Sequence, residues 1–322
     1  VPAGWAPIRQ LAHPTPAAAA APLLPTVIAV GDDNTIRRFS PAAGAAVTLD
    51  TAGAAISAAA PIARENGLAT VGPSGMLQIW WMAGERPALN VANGLGDCMC
   101  VAATPDGKLL AVGGSDERIK LFYGAQHKEI GEAQSYGDVR ALSFTSDGSR
   151  LVSGSSNRML RIWKIDPARG TPIIYQSTIV AHDDAVLALA VSPDSSLIAS
   201  VSADGFLKIW RLDGGGLVDR IRAGAAAVTA VAFSPDGSTV AAGDEAGNIR
   251  LWNVADGAPL MFHGSEDRRK VTALAWSADG LTLVSGGEDD CVRYWNPQSG
   301  AQIASQDMNQ GAVRALVVTA GR

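Results

Sequence analysis

Val228–Trp252 reads VTAVAFSPDGSTVAAGDEAGNIRLW. Apolar and polar residues alternate at period two in its runs, which predicts strands rather than helices. The SPDG that follows the first run predicts a tight turn, because a glycine accepts the positive φ that a hairpin needs. A second strand, a second polar turn and a third strand ending in Trp252 complete the stretch. A weaker fourth strand of the kind seen in LVDRIRA, Leu217–Ala223, leads onward.

The same unit recurs along the chain. Alternating runs end on Trp80, Trp163, Trp210, Trp252 and Trp295, and two more end on Phe39 and Phe122. Successive aromatics are 41, 42, 41, 47, 42 and 43 residues apart, too regular for chance. The SPDG turn returns as TPDG (Thr104–Gly107), TSDG (Thr145–Gly148), SPDS (Ser192–Ser195) and SADG (Ser277–Gly280). Four strands in a period of this length resemble the WD40-repeat β-propeller family. The resemblance runs from about Leu24 to Thr319 and implies an all-β, seven-bladed WD40-type β-propeller. The family's closing Trp-Asp is absent: each Trp is followed by Trp81, Lys164, Arg211, Asn253 or Asn296. The resemblance nevertheless implies that the aromatic packs between blades.

The ends of the repeat complement each other. The first unit begins at its second strand, TVIAVG (Thr26–Gly31), and the last segment, AVRALVVT (Ala312–Thr319), is an innermost strand with nothing after it. The C-terminal strand is therefore expected to complete the N-terminal blade and leave no open edge at the seam. Residues 24–322 are assigned to the propeller. Residues 1–23, rich in Pro and Ala, read as a tail or linker, with Trp5 and Ile8 as residues that could dock on a propeller face.

Composition narrows the function. Apolar residues are 47% of the chain, enough for a substantial core. Charged residues are only 18%, and the net charge of −5 argues against a general nucleic-acid binder. Ala17–Val30 is apolar but broken by Pro22 and Pro25, so no membrane-spanning run is expected. Cys98, Cys100 and Cys291 are too few, and odd in number, for a disulfide framework. His13, His127, His182 and His263 share no short ligand spacing with one another or with a cysteine, so no metal site is expected. There is no P-loop, and no GxGxxG opens a helix, so no cofactor is expected either.

Unit five contains His182, Ser200, Asp204 and Trp210, a set that superficially suggests a hydrolase. The family resemblance implies instead a structural hydrogen-bond network, and no Gly-x-Ser-x-Gly elbow surrounds Ser200. The equivalent Asp slot elsewhere holds Asp33, Ser74, Asp116, Asn157, Ala246 and Asp289. Unit five is expected to be the most rigid, and unit six, with Ala246, to rely on packing alone.

By the same resemblance, partners engage the top face. Two sets of positions point there. The first follows the opening apolar residue of each innermost strand: Arg314, Ser57, Met99, Arg140, Leu187, Thr229 and Thr272. The second precedes the Asp slot and includes Asp32, Glu245 and Glu288. With Asp244, Asp289, Asp290 and Asp33 these acids gather on units six, seven and one; Asp33 and Asp289 also read as structural, and the rest form an acidic sector that is either solvated turn carboxylates or a docking patch for a basic peptide or protein. The loop GSEDRRK, Gly264–Lys270, borders it, and Arg140 and Arg314 could each take a carboxylate. The expected function is a non-catalytic scaffold, a monomeric propeller within a complex. The alternative, which the Val1 start and Pro/Ala-rich leader permit, is an accessory domain of a larger enzyme or electron-transfer protein.

Overall fold

A computed structural model describes residues 24–40, 45–49, 55–62, 67–81, 89–92, 94–124, 126, 128–264, 269–308 and 311–319. These form seven four-stranded antiparallel sheets, one per repeat, and no helix occurs among them. In six sheets the strands lie side by side in chain order. In the remaining one, Val313–Thr319 lies innermost against Thr26–Gly31, followed by Ile36–Ser40 and Ala45–Leu49. The closing register runs from Thr26↔Thr319 through Ile28↔Val317 to Gly31↔Val313. The molecule is a seven-bladed β-propeller sealed by its C-terminal strand. The proposed tail, with Trp5, Ile8 and His13, lies outside the described residues, as do His127 and residues 265–268 of the 264–270 loop.

Each core cluster is shared between two neighbouring blades. Val201, Leu207 and Ile209 of blade five pack with Val228, Phe233, Val240 and Trp252 of blade six, and comparable clusters recur around the ring. A blade buries its faces only against its neighbours, so the circle must close for every apolar face to be covered. The aromatic slot is part of this packing: all seven side chains are buried.

Tryptophan also brings an N–H that burial would otherwise strand. Trp80, Trp163, Trp210 and Trp295 donate to the hydroxyls of Thr70, Ser153, Ser200 and Ser285, ten residues earlier, at 2.8–3.0 Å. Where the slot holds Phe39 or Phe122, the position ten earlier is Ala29 or Val112. In these six blades donor and acceptor are present or absent together, in line with the cost of an unpaired buried polar group; blade six departs from the pattern, with Ala242 ten residues before Trp252.

The first turn of five blades is wired by its own Asp. The carboxylates of Asp106, Asp147, Asp194, Asp236 and Asp279 each accept from the Thr or Ser two residues before and from a backbone N–H two residues after. The turn then needs a residue at positive φ. Gly107, Gly148, Gly237 and Gly280 supply it, and Ser195 adopts φ 60° in the SPDS copy.

Candidate partner-docking face

The first set of predicted positions has a common backbone cause. Met99, Arg140, Leu187, Thr229, Thr272 and Arg314 are each skipped in the pairing of the innermost strand with its neighbour, so each is the extra residue of a β-bulge. Ser57 behaves alike: its N–H donates to Val71 O at 2.7 Å while Ala58 takes the Cα pairing with Val71. A bulge re-aims a side chain that regular alternation would send into the sheet packing. The structure therefore gives these residues one shared local geometry around the hub.

Their side chains do different things. The Thr229 hydroxyl donates to Val271 O of the next blade at 2.5 Å, and Thr272 likewise to Val313 O. These two hydroxyls brace neighbouring blades across the seam. Arg140 lies 3.8 Å from Asp138. Arg314 grips Asp32 with two nitrogens, which brings the bulge of blade one onto its own second turn. Met99, Leu187 and Ser57 are half-buried.

The acidic sector is smaller than its sequence suggests. Asp32 is neutralised by Arg314, Asp33 by Arg37 at 3.2 Å, Asp289 by Arg293 at 2.5 Å, and Glu245 by Lys270 at 3.7 Å. Asp244 is not a rim carboxylate at all. It is 2% exposed and accepts from the backbone N–H of Ala246 and Asn248, the Asn248 amide and Arg250 Nη1 at 2.8–3.1 Å. Asp244 is thus withdrawn from the docking set, because a short side chain at the end of a buried strand curls into its own turn. The same observation corrects the expectation that unit six relies on packing alone. Glu288, which is exposed, and Asp290, half-buried at φ 64°, form no ion pair among the described residues.

Blade five carries the network built on His182. Nδ1 lies 2.9 Å from Asp204 Oδ2, Nε2 lies 2.8 Å from Ser200 Oγ, and Trp210 Nε1 donates to that same oxygen at 3.0 Å. One proton assignment satisfies every atom: Nδ1–H donates to Asp204, and the Ser200 hydroxyl donates to an unprotonated Nε2. The neutral ring this requires agrees with burial pushing the His182 pKa down against the opposing pull of Asp204. Burial alone would raise Asp204, but the N–H groups of Asp183 and Phe206 and His182 itself hold it below the usual carboxylate range. Ser200 is fully buried and the His sits beneath the turn, so no substrate can reach this hydroxyl. The trio that resembles a hydrolase is closed to solvent.

Among the described residues no group of three or more His, Cys, Asp or Glu could hold a metal ion, and no helix is long and apolar enough to cross a membrane. The Cys98 and Cys100 side chains are buried. Burial, with the neighbouring Cys98, raises the Cys100 pKa well above the ordinary thiol range.

Sequence reasoning missed two features. One is the Asp244–Asn248–Arg250 cluster, legible only as an Asp two residues before the expected slot. The other is the long outer strand of blade four, Ile173–Val180, which the 47-residue interval between Trp163 and Trp210 signalled.

Comparison with known proteins bears on blades three to seven and the closing strand. Residues 136–320 match the family model described as Nucleolar protein 10-like, N-terminal domain, and residues 92–122 match the model for the WD domain, G-beta repeat. No curated protein matches the chain. The first match spans more than half of the chain, from the start of blade four through the closing strand, and the second falls largely on blade three. The chain belongs to the WD40-repeat β-propellers, in the family of the Nucleolar protein 10-like N-terminal domain.

Proposed function

We propose that this propeller is a non-catalytic scaffold that docks a partner protein or peptide on the face carrying the hub bulges. WD40 propellers generally serve protein interaction. The observation that carries the reading is the ring of bulges itself. Six innermost strands bulge at the same position and Ser57 stands at the corresponding place in the seventh, and two of these seven side chains, Met99 and Leu187, are apolar. A partner on this face meets a half-buried apolar and small-residue annulus with one acidic side. Glu288 and Asp290, beside the loosely paired Glu245, favour a partner segment with one or two basic residues, and clustered charge of this kind adds rate and specificity more than affinity. The polar set in blade five supports scaffold over hydrolase, since its serine is occluded. The family name refers to a nucleolar protein; for this chain we take from it the propeller and the interaction role.

The test is a pull-down from the native source with the wild type and a Glu245→Lys/Glu288→Lys double variant, quantified by mass spectrometry. Selective loss of a partner from the variant supports the acidic side as its contact. Undiminished recovery of every partner discards that side.

A further inference from the structure

The outer strand of each blade is a free sheet edge, and most of these edges are protected. Glu129–Gln134 of blade three carries two glutamates, Leu217–Arg222 of blade five carries Asp219 and two arginines, and Gln302–Asp307 of blade seven ends in an aspartate. Pro259–Gly264 of blade six opens on a proline, and Ala45–Leu49 and Leu89–Ala92 are short. Charge, proline and shortness all discourage a further strand from pairing.

Blade four lacks every one of these devices. Its outer strand, Ile173–Val180, reads IIYQSTIV, the longest described strand at 8 residues, without a charge or a proline. No described strand pairs with its outer edge. Tyr175 and Val180 are exposed, and the Tyr175 hydroxyl donates to Thr178 Oγ1 at 3.1 Å.

Directly across from Thr178 is Arg161. Six blades place a cation two residues before the aromatic, and five of these have an acceptor. Arg37, Lys120, Arg250 and Arg293 meet carboxylates, and Lys208 donates to Ala181 O at 2.6 Å. Among the described residues Arg161 meets no acceptor oxygen. Its Nη2 reaches only Met159 Sδ at 3.6 Å, and its buried Nη1 has no partner. The local cause is Asn157 in the Asp slot, which spends its amide on Tyr136 O. The guanidinium, 7% exposed as a residue, lies 5.8 Å from the centre of the Tyr136 ring. Tyr136 is 68% exposed and held at φ 56°, a conformation unusual for a bulky side chain. A buried guanidinium short of an acceptor is costly, and a carboxylate arriving from outside would remove the cost.

We propose that the free edge of Ile173–Val180, with Tyr136 and Arg161, docks an extended segment of a partner protein that adds a strand to blade four and delivers a carboxylate to Arg161. Main-chain pairing with the edge supplies affinity, and the tyrosine–arginine pair supplies specificity. Tyr136 covers the guanidinium, so its exposed ring turns aside as the carboxylate enters. The site is on the outer rim and stands independently of the hub face.

The experiment selects peptides from a random display library on the full chain and measures the affinity of the synthetic winner by fluorescence anisotropy. Winners should carry an Asp or Glu among β-branched or aromatic residues. Replacing that acid by its amide should weaken binding roughly tenfold or more. It should cost nothing further on Arg161→Gln, which installs the residue that blade two has in this slot. Val180→Lys should weaken binding and Glu288→Lys should not. The peptide-side substitution needs no protein variant, so poor folding of Arg161→Gln leaves the test intact. Winners without an acid, winners displaced by Glu288→Lys, or displacement by single-stranded RNA would overturn the proposal. So would a wild-type dimer in sedimentation that Val180→Lys disperses, which would assign the edge to a second copy of this chain.

Discussion

Blades five and six are neighbours with the same strand plan, yet they hold their second turns in different ways. Blade five uses His182, Ser200, Asp204 and Trp210, a chain that runs from the Trp210 N–H through the Ser200 hydroxyl and the His182 ring to the Asp204 carboxylate. Blade six has Ala242 where the serine would be and Ala246 where the aspartate would be, and instead buries Asp244 against Asn248 and Arg250. What recurs is the requirement that the turn's buried N–H groups find a carboxylate; the position from which it comes is free. Blade six relies on a charge pair and blade five on a neutral imidazole, so they should fail differently.

The largest effect tests the frame that both blades share. Deleting residues 312–322 removes the innermost strand of blade one, including the buried Val313 and Val317. We expect a loss of at least about 3–5 kcal/mol, the scale of a large core cavity, and the lowest melting temperature of the set by calorimetry. An unchanged melt would dissolve the closed-ring account of every blade. Next, Asp244→Ala should cost about 3 kcal/mol, because it removes the carboxylate that accepts from Asn248, Arg250 and the turn N–H groups in a partly buried setting. Urea denaturation would measure it, and a loss below that of His182→Ala would reverse the ranking of the two blades.

His182→Ala should cost about 1–3 kcal/mol at neutral pH by removing the partner that the Ser200 hydroxyl and Asp204 Oδ2 share in the imidazole. It also carries a pH signature. The folded protein holds the His182 pKa below the ordinary histidine value of 6.5, so the unfolded chain binds this proton more readily. Stability from this group is present above pH 6.5 and lost as pH falls below it. Wild type should lose stability over that range, and His182→Ala should lose less. The first-turn aspartates act lower. Asp106, held at about 2 chiefly by Lys108 and Thr104, and Asp147, held at about 2 chiefly by Thr145, lose their contribution as pH falls from 3.8 toward 2. The smallest effect sharpens the contrast most. Ala246→Asp restores the slot that blade six lacks but should change stability by less than about 0.5 kcal/mol, because Asp244 already fills the role. A gain of the size lost in His182→Ala would show that the slot itself matters.

The fold was legible because period-two alternation, Asp-Gly turns and the aromatic slot are local properties that survive without knowledge of the neighbours. Ring closure was legible too, since a missing first strand and a surplus last one can be matched on paper. The bulge positions were legible only through the family resemblance, and their shared geometry appears in the pairing register. The acidic sector was misjudged because counting carboxylates on a turn does not reveal which curl inward. Asp244 does so, while Glu245 beside it stays out.

Sequence alone determined the number of blades and the strand order, because both follow from spacing along one chain. Tertiary structure alone decided which charges survive at the surface and which cation lacks an anion. Arg314 reaches Asp32 across nearly the whole length of the chain, and Arg161 is left without an acceptor by an asparagine whose amide is engaged elsewhere. Charge pairing depends on distances of a few ångströms between residues that the ring, not the sequence, brings together.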